Sequence, residues 1–171
     1  MLPVAVPFVS GSALKKEVKY GLSGAEWSYN ALRYGSKVAD GLSGARGGAL
    51  RQALAKEGID LTGKEAHHII PTQILKSNTV AQDAVNAGFD FNGAVNGIGL
   101  TKVAEGGVHA NHPNYSEQIG EALNKFATDN KGYSPEDAKN FLEGLVGKLK
   151  NQIQKESVDV GKKVNDLVVP K

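Results

Sequence analysis

The sequence predicts a mainly helical α+β fold. Helix-period apolar stripes occupy both ends of the chain. A short, partly β-branched stretch closed by proline and a Gly- and Asn-rich run occupy the middle. A length of 171 residues suits one core with appended helices.

In the first third, Ser23-Gly24-Ala25-Glu26 has the form of a capping box. Trp27, Ala31, Tyr34 and Val38 follow on one helical face, with Gly41 as the expected stop. A shorter helix is expected over residues 48–56, with Leu50 and Leu54 on one face. The string Gly-Leu-Ser-Gly-Ala at 21–25 and 41–45 reads as two similar helix starts, since no third copy exists. In the middle, residues 66–70 read as a strand closed by Pro71, 73–86 as helical, 92–99 as turns, and 98–103 as a second short strand. In the last third, Asn114 and Glu117 form a box-like start, followed by Tyr115, Ile119, Leu123 and Phe126 at helical spacing. Ser134-Pro135-Glu136-Asp137 combines a capping serine, proline at the first helical position and acids in the positive first turn. Leu142, Val146, Leu149 and Ile153 give that helix its buried face, and residues 157–171 read as a tail or a loosely docked segment. The expected organisation is an N-terminal helical region over 1–60, a central core over 61–130 and a C-terminal helical extension over 131–171.

Composition excludes several classes. With no cysteine, thiolate catalysis, Cys-type zinc fingers and iron–sulfur clusters are ruled out. The most apolar run, residues 2–9, is interrupted by Pro3 and Pro7 and is far short of the roughly 20 residues of a membrane span. No basic residue precedes that run, so it fails as a signal peptide. Net charge is +2, but unevenly spread: residues 1–64 hold 9 basic and 5 acidic side chains, 65–130 hold 3 and 7, and 131–171 hold 8 and 6. The acidic middle also contains all four histidines.

Those histidines form two tight pairs, His67-His68 and His109-x-x-His112. Imidazole is the commonest neutral metal ligand and the side chain best suited to proton transfer near pH 7. Two pairs meeting in space supply enough imidazoles for a metal site and a general base. His112 lies just before the expected cap Asn114, so the amino end of a helix, with its orphan amides, points at whatever sits beside it. On a regular strand, however, His67 and His68 face opposite ways. Either the strand end twists to admit both to one site, or one of them is structural.

Three pieces in order, Ala66-His67-His68-Ile69-Ile70-Pro71, then Asn96-Gly97-Ile98-x-Leu100, then His109-x-x-His112-Pro113-x-Tyr115, resemble the AHH nucleases of the HNH/endonuclease VII superfamily. The resemblance covers roughly residues 60–127. It implies a small ββα-metal (His-Me finger) core with flanking helices, gripping one divalent ion. It implies His68 as the general base, Asn96 as its positioner with Asn92 as a second candidate, and His67, His109 and His112 as metal ligands. The split between His67 and His68 follows colicin-type DNases, which also carry a His-His pair. Those sites place their last two ligands one residue further apart and on the helix, whereas here the pair precedes it. Thr101 and Ala110-Asn111 also depart from the family pattern, which has proline and Gly-Ser there.

The activity so implied is metal-dependent endonucleolytic hydrolysis of phosphodiester bonds, of DNA ahead of RNA. An all-imidazole set suits zinc, nickel, cobalt or manganese better than magnesium by ligand preference, while the family often uses magnesium. The basic residues expected to grip the polyanion lie mostly outside the core: Arg33, Arg46, Arg51, Lys64 and the C-terminal lysines, with Lys76 and Lys102 nearer. The resemblance further implies a polymorphic-toxin domain, delivered from its producer within a larger secreted protein into the cytoplasm of a target cell. A cognate immunity protein is the implied partner. Two alternatives stand beside this: a non-catalytic histidine-based metal-binding module, and a metal-dependent hydrolase of a non-nucleic-acid substrate.

Overall fold

The structure, a computed structural model, describes residues 24–46 and 48–170. Ser23 of the expected first capping box and the apolar run 2–9 lie outside the described residues. The fold is mainly helical around one two-stranded sheet. No helix among the described residues is long and apolar enough to cross a membrane.

Helix α1 (Gly24–Tyr34) and helix α2 (Ser36–Arg46) are separated at Gly35, whose φ of 92° is a left-handed conformation that suits glycine. The stop expected at Gly41 is therefore not there. Gly41 lies inside α2, where a Cβ would meet Leu75 Cδ2 at 3.3 Å. Helix α3 (Ala49–Lys56) follows, with Gly48 as its left-handed cap. Its Leu50 and Leu54 join Leu61 in a small cluster beneath the sheet.

Strand β1 (Glu65–His68) pairs antiparallel with strand β2 (Gly97–Leu100), in the register Glu65↔Leu100 and His67↔Ile98. Gly97 is required by close approach, since a Cβ there would lie 2.6 Å from Leu50 Cδ1. The single helix expected over 73–86 is two, α4 (Thr72–Ser77) and α5 (Thr79–Asn86). Asn78 divides them by accepting from the Val80 and Ala81 amides as the cap of α5. The second strand ends at Leu100, and the chain then folds back on itself. The Val103 amide donates to the His109 carbonyl, and the Val108 and His109 amides both donate to the Thr101 carbonyl. This return brings His109 beside the sheet. It needs Gly107, where a Cβ would sit 2.2 Å from the Thr101 oxygen.

Helix α6 (Pro113–Asp129) starts at the proline, with His112 as its cap residue. The box expected from Asn114 and Glu117 is not formed. Proline suits the first helical position because its missing N–H is an orphan there anyway. The Asn114 amide instead donates to Asn165 Oδ1. Helix α7 (Pro135–Gln152) carries the expected capping box, reciprocal between Ser134 and Asp137. The main core runs from Val38 of α2 through α4, α5, α6 and α7 to Val169. Residues 157–171 are expected as a tail or a loosely docked segment; up to residue 170 the segment is docked at a few points, with Val164 in the core and Val158, Val160 and Val168 exposed. Leu167 and Val169 are buried. Gln118 clamps that stretch from both sides, donating to the Leu167 carbonyl and accepting from the Val169 amide.

Candidate metal centre and its neighbouring histidine

Strand alternation sorts the residues of β1. Ala66 faces the Leu50–Leu54–Leu61 cluster, whereas Glu65 and His67 face the returning loop and α6. His67 is 3% exposed. Its Nδ1 lies 3.1 Å from His109 Nε2. Its ring stands edge-on to His109 and His112, with centroids 4.7 and 4.9 Å away. One ligand atom from each of His67, His109 and His112 falls within 4.8 Å of the others.

The contacts around this trio set its chemistry. Glu65 Oε2 lies 3.0 Å from His109 Nδ1, and a carboxylate can only accept, so Nδ1 carries the proton and Nε2 the lone pair. Lys102 Nζ holds the other carboxylate oxygen at 3.1 Å, which keeps Glu65 ionised by pulling its pKa below the ordinary range. At His112, Nδ1 lies 3.4 Å from Ser116 Oγ, whose hydroxyl donates to the His112 carbonyl. The Nε2 of His112 is thereby left as an acceptor. His67 presents Nδ1 to the trio, 3.1 Å from the His109 lone pair at Nε2, while its other nitrogen, Nε2, is buried without a hydrogen-bond partner. An ion between three neutral imidazoles, one of them backed by a carboxylate, is a chemically matched occupant. The group therefore fits a divalent metal. An open hollow of about 530 Å³ lies in front of it, lined by Glu65, Lys102–Ala104 and His109–His112.

Burial, with the neighbouring imidazoles, pushes the pKa of His67 well below the usual histidine value. Burial also lowers those of His68 and His112. A depressed histidine pKa means the unfolded chain binds protons first. The associated stability is complete above about pH 6.5 and is lost as pH falls from there toward the folded-state value. Chelator-treated protein is thus expected to show a melting temperature that declines below pH 6.5, by calorimetry, with a steeper decline than in His67→Phe protein.

His68, at the end of β1, turns to the other side. Its ring stacks on Phe91 at 5.0 Å, and its Nε2 lies 3.0 Å from Asn92 Oδ1. Asn92 Nδ2 donates to the Gly41 carbonyl of α2 at 2.8 Å. A carbonyl only accepts, so the amide orientation follows, with its oxygen toward His68. His68 must then donate from Nε2, and its Nδ1 carries the free lone pair. The structure thus resolves the strand problem by separation. Three imidazoles gather on one side, and the fourth stands on the other with its own orienting partner.

Asn96, the expected positioner, does not reach His68. It is fully buried, accepting from the Ile70 amide and donating to the Phe91 carbonyl, each at 2.9 Å. It braces the chain after His68, as does Tyr115, whose hydroxyl donates to the Ile69 carbonyl. The contact to His68 belongs to Asn92. Sequence reading also missed Glu65 and Ser116. The signal for Glu65 was present, because Glu-x-His on a strand shares one face.

A family model described as a nuclease family of the HNH/ENDO VII superfamily with conserved AHH matches residues 51–154. The chain belongs to the AHH nuclease family. Its AHH string is Ala66-His67-His68, which supplies one imidazole to the trio and one to the Asn92 pair. Membership makes nucleic acid the implied substrate class. No curated protein and no solved structure matches the chain. Of the basic residues expected to grip an AHH nuclease substrate, Lys102 lines the hollow before the trio. Arg51 is engaged by the Lys64 and Leu61 carbonyls, and Arg33 by Tyr29. The side chain of Arg46 lies outside the described residues.

Proposed function

We propose that this AHH nuclease is a metal-dependent endonuclease that hydrolyses phosphodiester bonds, of DNA ahead of RNA. His68 is the general base, Asn92 holds it, and His67, His109 and His112 hold one divalent ion. The observation that carries this is the pairing of a three-imidazole group with a fourth, separately oriented imidazole whose Nδ1 is free. A rival module that only sequesters metal has no use for the fourth. Every residue given a role here falls within 61–130, the span read from sequence as the core.

The work assigned to the chain's own groups is as follows. His68 Nδ1 takes a proton from water as the water attacks phosphorus. The Asn92 oxygen steadies the imidazolium that results, through Nε2–H. Phe91 keeps the ring plane fixed by stacking. The Lys102 ammonium, which lines the hollow before the trio, favours the anionic phosphate. A bound divalent ion would supply Lewis acidity toward the phosphoryl and leaving oxygens. Magnesium, manganese, zinc and nickel all remain candidates.

Resemblance to polymorphic-toxin domains supports an antibacterial role, with delivery into a target-cell cytoplasm and an immunity protein as partner. The decisive experiment incubates the protein with supercoiled plasmid and with RNA, with each of the four metals and with chelator. Cleavage that chelator abolishes is expected, faster on DNA. Failure to cut either polymer with any of the four ends the proposal. A second outcome concerns Glu65. Glu65→Gln keeps the shape but weakens the grip on His109, and metal affinity by calorimetry should fall about 10- to 100-fold.

A further inference from the structure

We infer that helix α2, which lies outside the matched family segment, is a positioning element of the catalytic site, acting on His68 through Asn92 by way of Gly41 and Gly44. The inference rests on His68 being the base. The Gly41 carbonyl is the acceptor that decides which end of the Asn92 amide meets His68. Gly44, one turn further along, is what makes room for that amide. A Cβ on Gly44 would lie 2.7 Å from Asn92 Nδ2 and 3.4 Å from its Cγ. Neither glycine is needed for its backbone conformation, since both sit within the helix and neither has a positive φ. Unlike Gly144 and Gly147, helical glycines with open space where a Cβ would go, Gly44 faces the Asn92 amide at a distance no Cβ tolerates. The matched family segment, residues 51–154, contains the histidines and Asn92 but not the groups that orient Asn92.

Gly44→Ala separates folding from catalysis. Alanine favours the helix, and the atom it displaces is the end of a side chain, so the melting temperature should stay level or rise. The Asn92 amide loses its seat, and with it the fixed His68 tautomer. We expect kcat for plasmid cleavage to fall about 10- to 100-fold, the range found when orienting partners are removed. KM should change little. Nitrogen-15 NMR of wild-type protein at pH 8 should find the His68 proton on Nε2, and Gly44→Ala should give a mixture. Because Gly44 acts only through Asn92, adding Gly44→Ala to Asn92→Ala should slow the enzyme no further.

A wild-type His68 protonated on Nδ1 would overturn the inference without any variant. So would a Gly44→Ala protein with wild-type kcat and tautomer, or additive losses in the double variant. If His68→Ala itself still cleaves normally, it is the assignment of the base that fails.

Discussion

Alanine at position 68 is expected to lower cleavage by about 10²–10⁴-fold while leaving metal affinity unchanged. That corresponds to roughly 3–5 kcal/mol of barrier. The separation of the two effects follows from the strand. His67 and His68 are adjacent, yet one meets His109 and His112 and the other meets Asn92 and Phe91. Removing the His68 ring takes nothing from the trio. His67→Ala is the converse experiment: it removes one of three ligands and leaves His68 with its partner. Metal binding by calorimetry should collapse in His67→Ala and persist in His68→Ala. Cleavage should collapse in both. Added imidazole should restore part of the activity to His68→Ala only, by entering the space beside Asn92 as a free base. If His68→Ala loses metal and activity together, the fourth imidazole is a ligand and the general base must be sought elsewhere.

How far the site could be read from the sequence depended on whether its contacts were local. The histidine pairs stood out because they are clustered, and the Ser134 start stood out because capping is decided within four residues. The alternation that divides His67 from His68 is equally local. Choices between similar residues were not. The expected stop at Gly41 falls instead at Gly35, because Gly35 takes the left-handed conformation while Gly41 packs under Leu75 inside the helix. Pro113 outweighs Asn114 as the start of α6 because proline fixes the first turn. Asn96 stands in the more familiar Asn-Gly-Ile setting, but the amide that reaches His68 is chosen by a carbonyl on α2, 51 residues from Asn92. Residues 157–170 lack a repeating apolar pattern because Gln118 and a few single side chains hold them.

The two asparagines therefore predict opposite phenotypes. Asn96→Ala should damage the fold before it damages the chemistry. Its amide is fully buried and satisfies two backbone groups, the Ile70 N–H and the Phe91 carbonyl. Each, left without a partner, costs about 1–3 kcal/mol, so a loss of roughly 2–6 kcal/mol in unfolding free energy is expected. For a domain of ordinary stability that is a large fraction of the total. Asn92 is only half-buried and lines an open hollow together with Gly41, so its removal exposes the Gly41 carbonyl to that hollow. Asn92→Ala should thus cost little stability but lower kcat. Urea titration of both variants, with cleavage measured well below each melting temperature, separates them. An Asn96→Ala protein as stable as wild type but inactive would return the positioning role to Asn96. A stable Asn92→Ala protein with full activity would remove that role from Asn92, leaving His68 held by Phe91 and the strand alone.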